Sequence, residues 1–153
     1  VRFNRTAFAD AWQFHLRDDT AAMAFPEPWS DAAMADRMLA GHGAVAVRAA
    51  KNWFVPVTIE LLDHEPTIEP EAWDHIALTE LALPSGKLVL GSGQTPGKDQ
   101  QAIDVSPGTY RLLLLSGNLD RTAVEAVGDD YYKAVLWPGS GPLEIRKRWV
   151  AAE

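Results

Sequence analysis

The sequence predicts an all-β protein: an antiparallel β-sandwich of jelly-roll type with one short α-helix. Three observations carry that prediction. Short apolar stretches of strand length recur along the chain, roughly eight or nine of them, several with period-two alternation. Turn residues punctuate them, most clearly Pro84-Ser85-Gly86 and Pro107-Gly108. One segment alone shows helical start signals and helical spacing. A chain of 153 residues with 47% hydrophobic and 23% charged residues fits a single globular domain spanning residues 1–153.

The opening alternation places Phe8, Trp12, Phe14 and Leu16 on one parity and Gln13, His15 and Arg17 on the other, which reads as a half-buried strand with Asp10 as a misfit. A loop with Pro26 and Pro28 follows. The helix is expected over Ser30 to Ala40, with Ser30 as cap, Asp31 in the first turn, and Gly41 as its stop. Met34 and Met38, and Ala35 and Leu39, are four apart and give it a narrow apolar face. Strands are then expected over Ala44 to Ala49 and Phe54 to Leu62. Pro56 cannot donate to a ladder, so the second is placed at an edge or at a bulge. Trp73 to Leu83 is apolar on both parities, the pattern of a strand covered on both faces or one with a bulge. Further strands follow at Lys87 to Leu90, Ile103 to Val105, Thr109 to Leu115, Tyr131 to Trp137, and around Leu143, Ile145 and Trp149. The polar stretch from Gly91 to Gln101 reads as a loop.

The charge distribution is uneven. From Thr58 to Glu80 there are seven carboxylates (Glu60, Asp63, Glu65, Glu69, Glu71, Asp74, Glu80) and no Lys or Arg. The whole chain carries -7, with 14 Lys+Arg against 21 Asp+Glu. Such a surface repels nucleic acid and attracts basic partners. Strand alternation makes Glu60 and Glu80 ordinary outward residues, so interest narrows to Asp63, Glu65, Glu69, Glu71 and Asp74. A second acidic group, Asp120, Glu125, Asp129 and Asp130, is broken only by Arg121 and also lies between strands. The two groups form one docking patch if both connections emerge together. Taken alone, a charge run is solvation first and recognition second. The basic triplet Arg146-Lys147-Arg148 is expected at the end of the last strand, facing solvent or the acidic loops.

Other chemistry is poorly supported. There is no Cys, which excludes disulfides, thiolate metal sites and Cys nucleophiles and favours a cytoplasmic home. No apolar run approaches the ~18 residues of a membrane span, and no apolar h-region follows Arg2 and Arg5. His42, His64-Glu65 and Asp74-His75 supply metal-ligand types without metal-ligand spacing. No nucleophile elbow or phosphate loop occurs. The expectation is therefore a protein that is not an enzyme and that needs no cofactor or metal. The six Trp read as core and rim packing; if exposed instead, they would suit sugar stacking. A module binding carbohydrate or calcium is the alternative reading, and a carboxylate hydrolase a third.

Several short motifs occur in a telling order: Trp12-Gln13-Phe14-His15-Leu16, Trp29-Ser30-Asp31-Ala32-Ala33, Gly43-Ala44-Val45-Ala46-Val47, Pro107-Gly108-Thr109-Tyr110 and Asp130-Tyr131. In that order they resemble the competence protein J (ComJ) family of bacterial proteins, thinly, over about Phe8 to Trp137. That family includes an inhibitor of a DNA-entry nuclease. The resemblance implies a protein-binding module that occludes a nuclease's basic cleft. It assigns no inhibitory residues, and the segment from Leu143 to Glu153 has no counterpart. Charge points the same way, because carboxylates that mimic phosphates steer association and block a cleft by occupancy.

Overall fold

The computed structural model describes residues 1–21, 29–41, 43–92, 100–121 and 129–150. Its strands are β1 (Arg2–Phe8), β2 (Gln13–Asp18), β3 (Met38–Gly41), β4 (Ala44–Arg48), β5 (Phe54–Leu61), β6 (His75–Leu83), β7 (Lys87–Gly91), β8 (Gln101–Asp104), β9 (Gly108–Gly117), β10 (Tyr131–Pro138) and β11 (Glu144–Lys147). The single α-helix among the described residues is α1 (Asp31–Asp36). The strands form a six-stranded sheet, β1-β5-β10-β9-β6-β11, and a five-stranded sheet, β3-β4-β2-β7-β8. The protein is all-β with one short helix. The five-stranded sheet is antiparallel throughout, but β10 and β5 pair in parallel, which corrects the expectation of wholly antiparallel pairing. This order does not establish a jelly roll, which divides eight strands between two sheets through two Greek keys.

The core lies between the sheets. Phe14, Leu16, Val45, Val47, Leu88 and Leu90 from the five-stranded sheet meet Val57, Ile59, Leu81, Leu112, Leu114 and Leu136 from the other. The six-stranded sheet is covered on its second face too. Ile76, Leu78, Leu113, Leu115, Val135 and Trp137 form a separate buried cluster there. These come from the opposite parity of β6, β9 and β10, which is why those strands read as continuous apolar runs.

Four expectations change. The opening strand is two strands, one in each sheet. Between them Gln13 N–H donates to Asp10 O at 3.2 Å, and Ala11 and Trp12 take left-handed φ of 54° and 61°. Asp10 is no misfit: it begins the turn. Left-handed backbone costs a non-glycine residue about 1–2 kcal/mol, and Asn52 Oδ1 steadies the turn by accepting from Ala11 N–H at 2.9 Å.

The helix is shorter than its spacing predicts. Ser30 caps it, its Oγ accepting from Ala33 N–H at 3.1 Å. Arg37 then turns left-handed (φ 59°), and the chain enters β3. Met38 is drawn into the core at 2% exposed and pairs with Val47, whereas Met34 stays 37% exposed. Tertiary burial of one Met outweighs the helical pairing of two.

Pro56 does not mark an edge strand. β5 lies inside its sheet, but β10 pairs with it only from Val57 onward, so the missing N–H falls beyond that ladder. Finally, Trp12 and Trp53 are 49% and 48% exposed, against the expectation that the tryptophans pack.

Candidate partner-binding surface

The acidic run lies on the connection from β5 to β6, and its path follows from the strand directions. β5 is parallel to β10, β10 is antiparallel to β9, and β9 is antiparallel to β6. β5 and β6 therefore point the same way, with β10 and β9 between them. A connection between them has to cross from one end of the sheet to the other. Residues 62–74 make that crossing over the sheet's outer face. Leu62 N–H starts it by donating to Leu136 O at 2.9 Å, and Asp74 N–H ends it by donating to Ser116 O at 2.8 Å.

The segment is two-sided. Leu62, Ile68 and Trp73 pack down on the outer apolar cluster. Full burial of a side chain of this size contributes roughly 1.5–3 kcal/mol, and these half-buried ones about half that each. Pro70 opens a 3-10 turn, Pro70–Ala72, which stiffens the landing. Asp63, Glu65, Glu69 and Glu71 are left on the exposed side. The sequence signal for this layout was the apolar trio itself, spaced too irregularly for a strand or a helix.

The carboxylates differ in what holds them. Arg146 of β11 reaches Glu65 at 3.3 Å, and Lys147 Nζ donates to Pro70 O at 3.0 Å. Arg148 pairs with Asp36 at 2.8 Å. The basic triplet therefore straps the last strand to the acidic segment, one of the two surroundings the sequence left open, and also to α1. Among the described residues, Asp63, Glu69 and Glu71 have no ion-pair partner. Glu60 and Glu80 are outward strand residues. Hydrogen bonds from Arg2 hold the Glu60 carboxyl below its usual range, burial opposes that, and Lys133 assists.

The two acidic groups meet. Asp74 Oδ2 accepts from Leu119 N–H at 2.8 Å, at the start of the short turn Leu119–Arg121 that carries Asp120. Asn118 Nδ2 donates to Asp129 O at 3.3 Å. Trp73 packs edge-on against Tyr131, ring centroids 5.5 Å apart. Asp74, Asp120 and Asp129 thus gather where the crossover lands. Asp120 is exposed and accepts from Trp149 Nε1 at 2.9 Å. Asp129 is exposed. Glu125 and His42 lie outside the described residues.

Asp130 does not belong on this surface. It is 0% exposed. Its Oδ2 accepts from Tyr132 O–H at 2.7 Å and from Ala50 N–H at 3.2 Å, and Lys51 Nζ lies 3.7 Å from Oδ1. Burial and the neighbouring Asp130 push the Tyr132 phenol well up, so it stays a neutral donor. A carboxylate enclosed this way ties β10 to the β4–β5 connection and cannot meet a partner.

His75 is enclosed as well. Its Nε2 donates to Asp36 O at 2.8 Å, and its Nδ1 accepts from Trp149 N–H at 3.0 Å. Burial holds its pKa below the ordinary 6.5, so the ring is neutral and its acceptor nitrogen is taken. Among the described residues no His, Asp and Glu side chains cluster as a metal site would need.

The sequence matches no family profile and no curated protein. Similarity appears in three dimensions. The crystal structure of ComJ from Bacillus subtilis, described as an inhibitor of the DNA degrading activity of NucA, aligns with a TM-score of 0.64 at 15% identity, over 88% of this chain and 94% of that one. The fold is that of ComJ. A second structure, described as crocagin biosynthetic gene J, aligns with a TM-score of 0.58 at 19% identity, over 90% of this chain and 95% of that one. At these identities the likeness concerns the fold.

Proposed function

We propose that the acidic crossover face binds a basic protein, and that the partner is a nuclease whose substrate cleft it occludes. The observation that carries this reading is the placement of Asp63, Glu69 and Glu71. They stand exposed and without an ion-pair partner among the described residues, on a segment pinned at both ends and along its length to a buried sheet face. Carboxylates presented on a stiff support lose little freedom on binding. They resemble a row of phosphates in charge, and their field speeds encounter with a cationic cleft. The ComJ fold supports the choice of a nuclease, since ComJ is described as an inhibitor of the DNA degrading activity of NucA. The face would work by occupancy, so no catalytic group of its own is required.

The test is a nuclease assay with NucA and with DNA-degrading nucleases purified from the native host, at low and high salt. Wild-type protein is expected to inhibit at least one of them, most strongly at low salt. The variant with Asp63, Glu69 and Glu71 all replaced by Lys is expected to inhibit at least tenfold less well and with a flatter salt dependence. Inhibition by this variant equal to that of wild type, at both low and high salt, would sink the proposal.

A further inference from the structure

The turn between β1 and β2 and the start of β5 expose three large rings at one corner. Trp12 is 49%, Trp53 48% and Phe54 44% exposed. They are not scattered. Phe8 packs against both Trp53 (5.9 Å between centroids) and Phe54 (4.9 Å), and Trp53 and Phe54 stand nearly perpendicular at 5.4 Å. Ala9 N–H donates to Trp53 O at 2.7 Å, which locks the two loops together. Trp12 projects from one of the few left-handed non-glycine positions among the described residues. Strained backbone that a Gly would relieve persists where it serves a purpose.

The corner and the acidic landing lie at the same end of the six-stranded sheet, where the parallel strands β5 and β10 begin. Tyr131 touches Trp73 of the crossover, and Asp130 next to it holds Ala50 and Lys51, two residues before Trp53. Exposed Asp129 lies on this path, and exposed Asp10 begins the Trp12 turn. We infer that Trp12, Trp53 and Phe54 are the apolar anchor of the same interface as the acidic face, and that they receive an Arg- or Lys-bearing surface of the basic partner. This rests on the reading given under Proposed function.

Two considerations choose that occupant. Three half-exposed rings offer roughly 300 Å² of surface, far below the ~800 Å² per partner of a stable interface. The anchor must therefore belong to a larger footprint, and the acidic surface adjoins it. A second copy of this chain is disfavoured, since it would bring two molecules of charge -7 together. A partner's guanidinium or ammonium gains from both elements at once: the ring faces through cation–π attraction and the flanking carboxylates through charge. Buried aromatic anchors ringed by polar contacts are the usual hot spots of protein interfaces.

The experiment uses the full chain with NucA as probe, measuring affinity by titration calorimetry at several salt concentrations. Trp53→Ala and Trp12→Gly are each expected to weaken binding about 30-fold and leave the salt slope unchanged, whereas the Lys variants of the crossover flatten it. Trp12→Gly carries a second readout: relief of the left-handed strain offsets the lost burial of half a ring and the added chain freedom, so the melting temperature is expected to stay within roughly 4 °C of wild type while binding falls. If wild type binds and both aromatic variants bind within threefold of it, the anchor is refuted and the acidic face stands. If wild type binds neither NucA nor any of the host nucleases, the function reading and the anchor fail together. Concentration-dependent dimerisation of wild type, lost in Trp53→Ala, would overturn the choice of occupant.

Discussion

Glu71 and Asp130 are both carboxylates on connections that lead into strands of the six-stranded sheet, yet the fold uses them in opposite ways. Glu71 sits on a segment whose apolar residues face the sheet, so it is left in water. Asp130 stands where Ala50 N–H, Tyr132 O–H and Lys51 converge, so it is fully enclosed. The difference teaches that acidity by itself predicts neither recognition nor solvation. What decides is whether donors surround the carboxylate or an apolar underside holds it outward.

That contrast can be broken in four places. The largest effect is expected at Asp130. Asp130→Ala takes the acceptor from the buried Tyr132 O–H and the negative charge from beside Lys51, and urea unfolding should show a loss of about 3–5 kcal/mol. Next is Asp18, also enclosed. Burial alone would raise its pKa, but hydrogen bonds from Thr20 and Ser85 overcome that and hold it at about 2. Its folded pKa is depressed, so its contribution is complete above the unfolded value near 4 and is lost as pH falls towards 2. Asp18→Ala should cost about 1–3 kcal/mol at neutral pH and flatten the unfolding profile in that window.

His75 gives a smaller effect in a separate window. Its folded pKa is lowered by burial, so the unfolded chain takes up the proton first. Stability is complete above pH 6.5 and declines as pH falls below it, until the folded ring titrates as well. Protonation of Nδ1 would also oppose the Trp149 N–H. A His75→Gln variant should lose part of that decline in chemical denaturation between pH 7 and 5, and buried His15, shifted the same way, should keep the remainder. The smallest effect on stability belongs to the crossover acids. Replacing Asp63, Glu69 and Glu71 by Lys should change unfolding free energy by less than about 1 kcal/mol in total.

Much of this was legible in the sequence. The two-faced character of β6 was visible because both of its parities were apolar. The Ser30 cap and the acidic run with its exposed residues could also be read, whereas the basic triplet was left facing either solvent or the acidic loops. The rest depended on tertiary contacts. Little local distinguishes Asp130 from Asp129, because Ala50 N–H and Lys51, which close round it with Tyr132, lie some 80 residues earlier in the chain. The Met34–Met38 spacing obeyed helix rules until the core claimed Met38. The strand break at Asp10 was hidden because Ala-Trp is a poor left-handed pair, and a reader expecting Gly or Asn there reads straight through. The parallel pairing of β5 and β10 leaves no mark in either strand, yet it is what lays the acidic connection across a face.

The central claim is that carboxylates outside the fold's own hydrogen-bond networks carry recognition. The most direct test compares inhibition of a DNA-degrading nuclease by wild type and by the Asp63, Glu69 and Glu71 to Lys variant, both shown to be equally stable, at low and high salt. The prediction is at least a tenfold loss of inhibition and a flatter salt dependence in the variant. Undiminished inhibition by an equally stable variant at both salt concentrations would contradict it.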